Sequence, residues 1–164
     1  MGRHMMLAAW VVALGLLAAV FSGILERQHN PNQQVQSSVN ANGIPEVILQ
    51  RNRQGHYVTN GFINGEPVVF LLDTGATVVS VPQRIAQRLA LRSGAASYAN
   101  TANGTITTYS TRLDSVSIGE IRLDNVAAHI NPHMSANEVL LGMSFLKKLE
   151  LLQKGNTLTL RQAR

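Results

Sequence analysis

Twenty-one consecutive residues, Met5 to Leu25, carry no charge (MMLAAWVVALGLLAAVFSGIL), and this run decides how much of the chain can fold as a water-soluble core. As a helix rising about 1.5 Å per residue it reaches roughly 30 Å, the thickness of a bilayer's hydrocarbon layer. Arg3 and the amino terminus precede it, while Glu26 and Arg27 nearly cancel after it. That asymmetry favours an N-terminus inside and a domain outside. A cleaved signal peptide is the competing reading, with Val20-Phe21-Ser22 before Gly23 as its cleavage signal. The run exceeds the usual signal core of roughly 7–15 residues, so residues 1–27 are read as a retained single-pass anchor. Either reading exports the rest of the chain.

Residues 28–50 read as a flexible polar linker. Gln28 to Gly43 is rich in Gln, Asn and Ser, includes Pro31, and contains no Asp, Glu, Lys or Arg. Such a stretch offers little apolar surface to offset the entropy of ordering it. Residues 51–164 are left as the folded domain, with its start expected between Ile44 and Gly55.

Composition removes several chemistries. The chain has no Cys, which excludes a disulfide scaffold, a thiol nucleophile and cysteine-ligated metal. Net charge is +5, but Arg51 and Arg53, Arg84 and Arg88, and Lys147 and Lys148 are scattered pairs. A nucleic-acid binder concentrates its charge and interleaves it with aromatics, so no nucleic-acid partner is expected. His129 and His133 are spaced to meet on a helix, but Pro132 lies between them and no carboxylate completes a set. No metal site is expected.

From His56 onward the pattern is one of short apolar stretches separated by turn signals. Tyr57–Ile63 and Val68–Leu72 read as strands joined at Asn64-Gly65, a strong hairpin signal. Val78, Val79 and Val81 extend the β pattern up to Pro82, which can open a short helix bearing Ile85, Ala86, Leu89 and Ala90. A second hairpin is expected at Asn103-Gly104 and a third at Gly119-Glu120. Val139-Leu140-Leu141 reads as a strand ending at Gly142, Ser144–Leu152 as a helix, and Leu158-Thr159-Leu160 as a closing strand. Many short strands with little helix predict a mainly β, closed, barrel-like domain with one or two short helices. P-loop, HExxH and GxSxG motifs are absent.

Asp73 ends an apolar strand, and a carboxylate placed there needs donors. Thr74 and Thr77 offer hydroxyls, and Gly75 allows a tight turn that exposes backbone N–H groups. On Asp-Thr-Gly alone, an Asp that merely caps a turn is the commoner explanation.

In context, Phe70-Leu71-Leu72-Asp73-Thr74-Gly75-Ala76-Thr77 resembles the active-site loop of aspartic proteases, especially their single-domain retroviral type. Downstream, Val139-Leu140-Leu141-Gly142, followed by Met143-Ser144-Phe145-Leu146, resembles the segment that threads beside that loop. The arrangement is similar to a bacterial group of membrane-anchored, retropepsin-like proteases. The resemblance spans about Gly55 to Leu160 and implies a retropepsin-like acid-protease fold. It implies Asp73 as the catalytic carboxylate, with Thr74, Gly75, Ala76 and Thr77 as its supporting loop. Leu140, Leu141 and Gly142 would pack against that loop. A substrate-covering flap would fall at Thr101, Ala102, Asn103, Gly104 and Thr105, although this stretch has fewer glycines than many retroviral flaps. No cofactor is implied.

The implied mechanism needs two carboxylates sharing one proton. The chain has three aspartates, and neither Asp114 nor Asp124 precedes Thr-Gly. The partner acid is therefore expected from a second copy across a two-fold axis, giving an Asp73–Asp73′ dyad in a homodimer. Ala76 lacks the hydroxyl that Ser or Thr would offer to an ionised carboxylate, which predicts activity at mildly acidic to near-neutral pH. The expected function is an aspartic endopeptidase acting on exported or membrane-associated polypeptides. It would be held in the inner (cytoplasmic) membrane with its domain on the periplasmic or extracytoplasmic side. Two alternatives stand beside it: a non-catalytic dimeric domain of the same fold that binds a peptide or protein in its groove, and a membrane-tethered structural β domain.

Overall fold

In a computed structural model, residues 2–101 and 104–162 are described. The chain opens with α1 (Arg3–His29), which contains the apolar run and has none of its residues buried against the rest of the chain. With a mean hydropathy of 2.3, α1 is long and apolar enough to cross a membrane.

The remainder is mainly β. Its strands are β1 (Gln36–Val39), β2 (Pro45–Gln50), β3 (Val58–Ile63), β4 (Glu66–Leu72), β5 (Val79–Pro82), β6 (Ala96–Thr101), β7 (Gly104–Ile118), β8 (Ile121–Asn131), β9 (Val139–Leu141), β10 (Leu149–Lys154) and β11 (Thr157–Gln162). Two short helices interrupt them, α2 (Gln83–Arg88) and α3 (Met143–Leu146). The larger sheet runs β3-β4-β9-β5-β8-β7-β6, and a further β3–β7 pairing at Phe62↔Ser117 and Ile63↔Val116 makes it ring-like. The smaller sheet runs β1-β2-β11-β10.

The turn chemistry explains the hairpins. Asn64 and Gly65 both take positive φ (53° and 84°), the backbone that matches strand twist in a two-residue β3–β4 loop. Gly119-Glu120 closes β7 onto β8 with Ile118 opposite Ile121. Alternation along the strands then fills the interior with Leu49, Ile63, Phe70, Leu113, Leu141 and Phe145, all fully buried.

Two expectations are corrected. Residues 28–50 do not form a flexible linker. They contribute β1 and β2, Val47 and Leu49 are fully buried, and β2 pairs with β11 from Gln50↔Thr157 to Glu46↔Arg161. The polar residues before β2 are ordered by hydrogen bonding. The Asn32 side chain donates to the carbonyls of Gln50 (2.9 Å) and Val58 (2.7 Å), and its Oδ1 accepts from Gln50 N (2.7 Å). The helix expected over Ser144–Leu152 stops at Leu146, and Leu149 onward is β10. A two-residue turn at Gly155-Asn156, with Gly155 at φ 60°, folds β11 back along β10, and the ladder satisfies the backbone groups that a longer helix would have used.

Candidate active site

β4 and β9 lie side by side in parallel, with Phe70 opposite Val139, Leu71 opposite Leu140 and Leu72 opposite Leu141. Asp73 is the first residue beyond this ladder, and its N–H continues the pairing by donating to Leu141 O at 3.2 Å. The chain then reverses. Ala76 N donates to Asp73 O (3.2 Å), and Gly75 N donates to the Asp73 carboxylate at Oδ1 (2.8 Å). A backbone N–H thus serves the acid. The hydroxyls of Thr74 and Thr77, read from sequence as its donors, make no hydrogen bond among the described residues. Asp73 is half-buried, while Thr74, Gly75 and Thr77 are exposed, so the loop presents the acid on an open face.

The second segment clasps this loop. Met143 N donates to Ala76 O (2.8 Å) and Ser144 N to Thr77 O (3.0 Å). Between them and β9 stands Gly142. A Cβ there would lie 2.3 Å from Val78 O and 2.6 Å from Ala76 O, closer than any side chain permits. Leu140, Leu141 and Gly142 are therefore brought against the Asp73 loop.

Ser144 is a supporting residue that the sequence reading passed over. Its Oγ accepts from Val79 N (3.0 Å) and donates to Ala127 O (2.7 Å), tying the start of α3 to β5 and β8. Its one sequence signal is a lone hydroxyl inside the otherwise apolar Val139–Leu146 stretch.

The flap candidate corresponds to the β6–β7 hairpin, whose last pair is Thr101↔Gly104. Ala102 and Asn103 lie outside the described residues, and Gly104 and Thr105 are exposed at the start of β7. Tyr98, on β6, is 83% exposed. At the root of the hairpin the buried Thr108 hydroxyl lies 3.3 Å from both Ser97 Oγ and His129 Nδ1, linking β6, β7 and β8. Asp114 and Asp124 stand exposed on the β7–β8 ladder, and Asp124 pairs with Arg122 at 3.0 Å.

The gag-polyprotein putative aspartyl protease family matches residues 59–148, a span that holds both the Asp73 loop and the Gly142 segment. An uncharacterized protein from the cobV 5′ region of a Sinorhizobium species is 33% identical over 114 residues, 68% of this chain and 49% of the relative. An uncharacterized protein of Rickettsia prowazekii (strain Madrid E) is 30% identical over 110 residues, 65% of this chain and 47% of the relative. The chain thus spans about half the length of the curated relatives it matches. The crystal structure of a retropepsin-like aspartic protease from Rickettsia conorii aligns at a TM-score of 0.62 and 28% identity, covering 79% of this chain and 96% of that one. With its mainly β, retropepsin-like fold, the chain belongs to the gag-polyprotein putative aspartyl protease family.

Proposed function

We propose that the protein is a membrane-anchored aspartic endopeptidase whose two catalytic acids are Asp73 and its symmetry mate in a homodimer. The observation that carries the reading is the presentation of Asp73. It is held from behind by Leu141 and the Gly142 segment, and it sits in a loop whose outer residues Thr74 and Gly75 are exposed. One half of a dyad must look like this before its partner arrives. The exposed loop offers a second copy a surface on which Asp73 can meet Asp73′.

The chemistry follows from two carboxylates in close approach. They ionise together only at high cost, so one proton is shared between them. The ionised member accepts a proton from water as the oxygen attacks the scissile carbonyl. The protonated member donates to the carbonyl oxygen, giving a tetrahedral diol. Collapse of the diol breaks the C–N bond and delivers a proton to the departing amine, leaving one carboxylic acid and one amine per water consumed. The two roles belong to the pair, not to a particular subunit. Thr74 braces the loop at the two-fold axis, Gly75 provides the close backbone approach there, and the β6–β7 hairpin covers an extended substrate.

In this reading α1 is a single membrane span, with Arg3 on the cytoplasmic side and the domain on the outer side of the inner membrane. The substrates are exported or membrane-associated polypeptides. Confinement to the bilayer raises the encounter rate of two subunits, which supports dimers of modest intrinsic affinity.

The test is cleavage of an unfolded protein by the detergent-solubilised full chain, compared with Asp73→Asn. We expect the substitution to lower the rate by about 10²–10⁴-fold while the fold and dimer are kept. A statine-type transition-state mimic should inhibit the parent protein. A folded dimer whose cleavage does not depend on Asp73 would refute the assignment.

A further inference from the structure

The junction between α1 and the domain has no slack. The apolar run ends at Leu25 and the helix continues unbroken to His29, so four residues, about 6 Å of helix, separate the two. The next residue, Asn30, is already 95% buried, and Asn32 is buried as well. Asn30 N caps the helix by donating to Glu26 O (2.8 Å), while its side chain donates to Asn60 Oδ1 (2.9 Å) and its own Oδ1 accepts from Asn32 N (3.0 Å). Asn60 Nδ2 donates to Gln33 O (3.0 Å), and Asn32 bridges β2 to β3 through Gln50 and Val58. The helix end itself is held twice more. Asn52 Nδ2 donates to His29 O (3.0 Å), and the His29 ring lies 2.7 Å from Glu138, the residue before β9.

This junction limits the reach of Asp73. Asn32 is bridged to Thr59, and Thr59 is paired with Phe70, so two strand spacings of about 4.8 Å separate Asn32 from β4. Asp73 lies three residues further along, roughly 10 Å at strand rise. The acid is therefore within about 15–20 Å of Asn32, and, adding about 10 Å from Asn32 to His29 and about 6 Å of helix, within about 35 Å of the end of the apolar run, whichever way the domain leans. A free 23-residue tether over residues 28–50 would have allowed up to about 75 Å.

We propose that the substrates are polypeptides cut close to the bilayer: the membrane-proximal segments of other membrane-anchored proteins, within about ten extended residues of the surface. The proposal rests on the reading of the chain as a membrane-anchored aspartic protease. It adds that the asparagine clamp, by holding the domain on its helix, acts as a ruler that selects the height of the scissile bond.

The test uses the full chain reconstituted in phosphatidylcholine–phosphatidylglycerol vesicles with two single-pass substrates. Both carry a segment that the enzyme cuts as a free peptide in detergent. In one it begins about five residues from the membrane, and in the other it stands on a helical spacer of about 30 residues, roughly 45 Å long. The parent should cut the proximal site at least about tenfold faster, since the distal site contributes little effective concentration at Asp73. A Gly-Ser insertion of about 24 residues between Glu26 and Arg27 leaves the contacts of His29, Asn30 and Asn32 with the domain in place but separates them from the apolar helix, and should bring the two rates within about twofold. Equal cutting of both substrates by the parent overturns the proposal, as does an unchanged preference in the insertion variant. Free-peptide cleavage in detergent separates the two layers. If the parent and insertion variant cut the peptide equally, and Asp73→Asn does not, the protease reading stands whatever the vesicle result. If the parent does not cut it, both readings fall together.

Discussion

The amide of Asp73 donates to the carbonyl of Leu141 at 3.2 Å, so the acid and the strand leading into Gly142 form one hydrogen-bonded unit. Two segments nearly seventy residues apart in sequence set the position of a single carboxylate. Changes in the distal segment should therefore be felt at Asp73.

Gly142→Ala is the sharpest case. Its new methyl group would sit on the carbonyl oxygens of Val78 and Ala76, and neither can retreat without disturbing the Asp73 loop. We expect destabilisation of about 1–3 kcal/mol together with loss of most cleavage activity. Thermal unfolding and peptide-cleavage assays on the same preparation check this, and parent-like values for both would contradict the packing described.

Ala76→Ser adds a hydroxyl in the acid's own loop. By stabilising the ionised carboxylate, it should move the acidic limb of the kcat/KM profile to lower pH. The measurement is a pair of pH–rate profiles at the same temperature and ionic strength; superimposable acidic limbs would count against the idea.

Asn32→Ala should loosen the domain where the helix joins it. The variant removes three hydrogen bonds and so takes a partner from Gln50 N, from Gln50 O and from the buried Val58 O. The expected cost is about 1–3 kcal/mol. Amide exchange should quicken in β2 and at the start of β3, and unchanged exchange there would show that the clamp does not hold these strands.

Glu46 gives the smaller sheet a pH dependence. Hydrogen bonds from Asn40 (2.8 Å) and Arg161 (2.7 Å) hold its carboxyl below the usual range, against the opposing effect of burial. A lowered folded-state value means the contribution is complete above the ordinary carboxylate range and is lost as pH falls through the lowered value. Melting temperatures near neutrality and in acid should therefore differ less in Glu46→Gln than in the parent. An equal drop in both proteins would rule out this pair as a source of acid sensitivity.

Much of the fold was legible because its signals are local. Asn64-Gly65 requires positive φ at two adjacent residues, and only a tight hairpin uses that pair readily. The short apolar runs around Phe70 and Leu141 mark strands, and both runs lie in strands that carry those side chains into the interior. The stretch 28–50 was misread for the opposite reason. Gln, Asn and Ser predict disorder when counted, yet Asn32 is ordered by partners at Gln50 and Val58, and composition carries no record of partners. Likewise, Phe145, Leu149 and Leu152 fit a helical face, but pairing with β11 draws Leu149 and Leu152 into a strand.

The apolar span, the mainly β character, the single Asp-Thr-Gly and the expectation that any second acid comes from another copy are readable in the residues. Each follows from residue type and near-neighbour spacing. It takes the folded chain to show which donor reaches Asp73, that Ser144 ties the loop to β5 and β8, and that α1 is hydrogen-bonded to the domain. Those outcomes depend on backbone carbonyls and amides, which every residue carries and which the fold alone brings together.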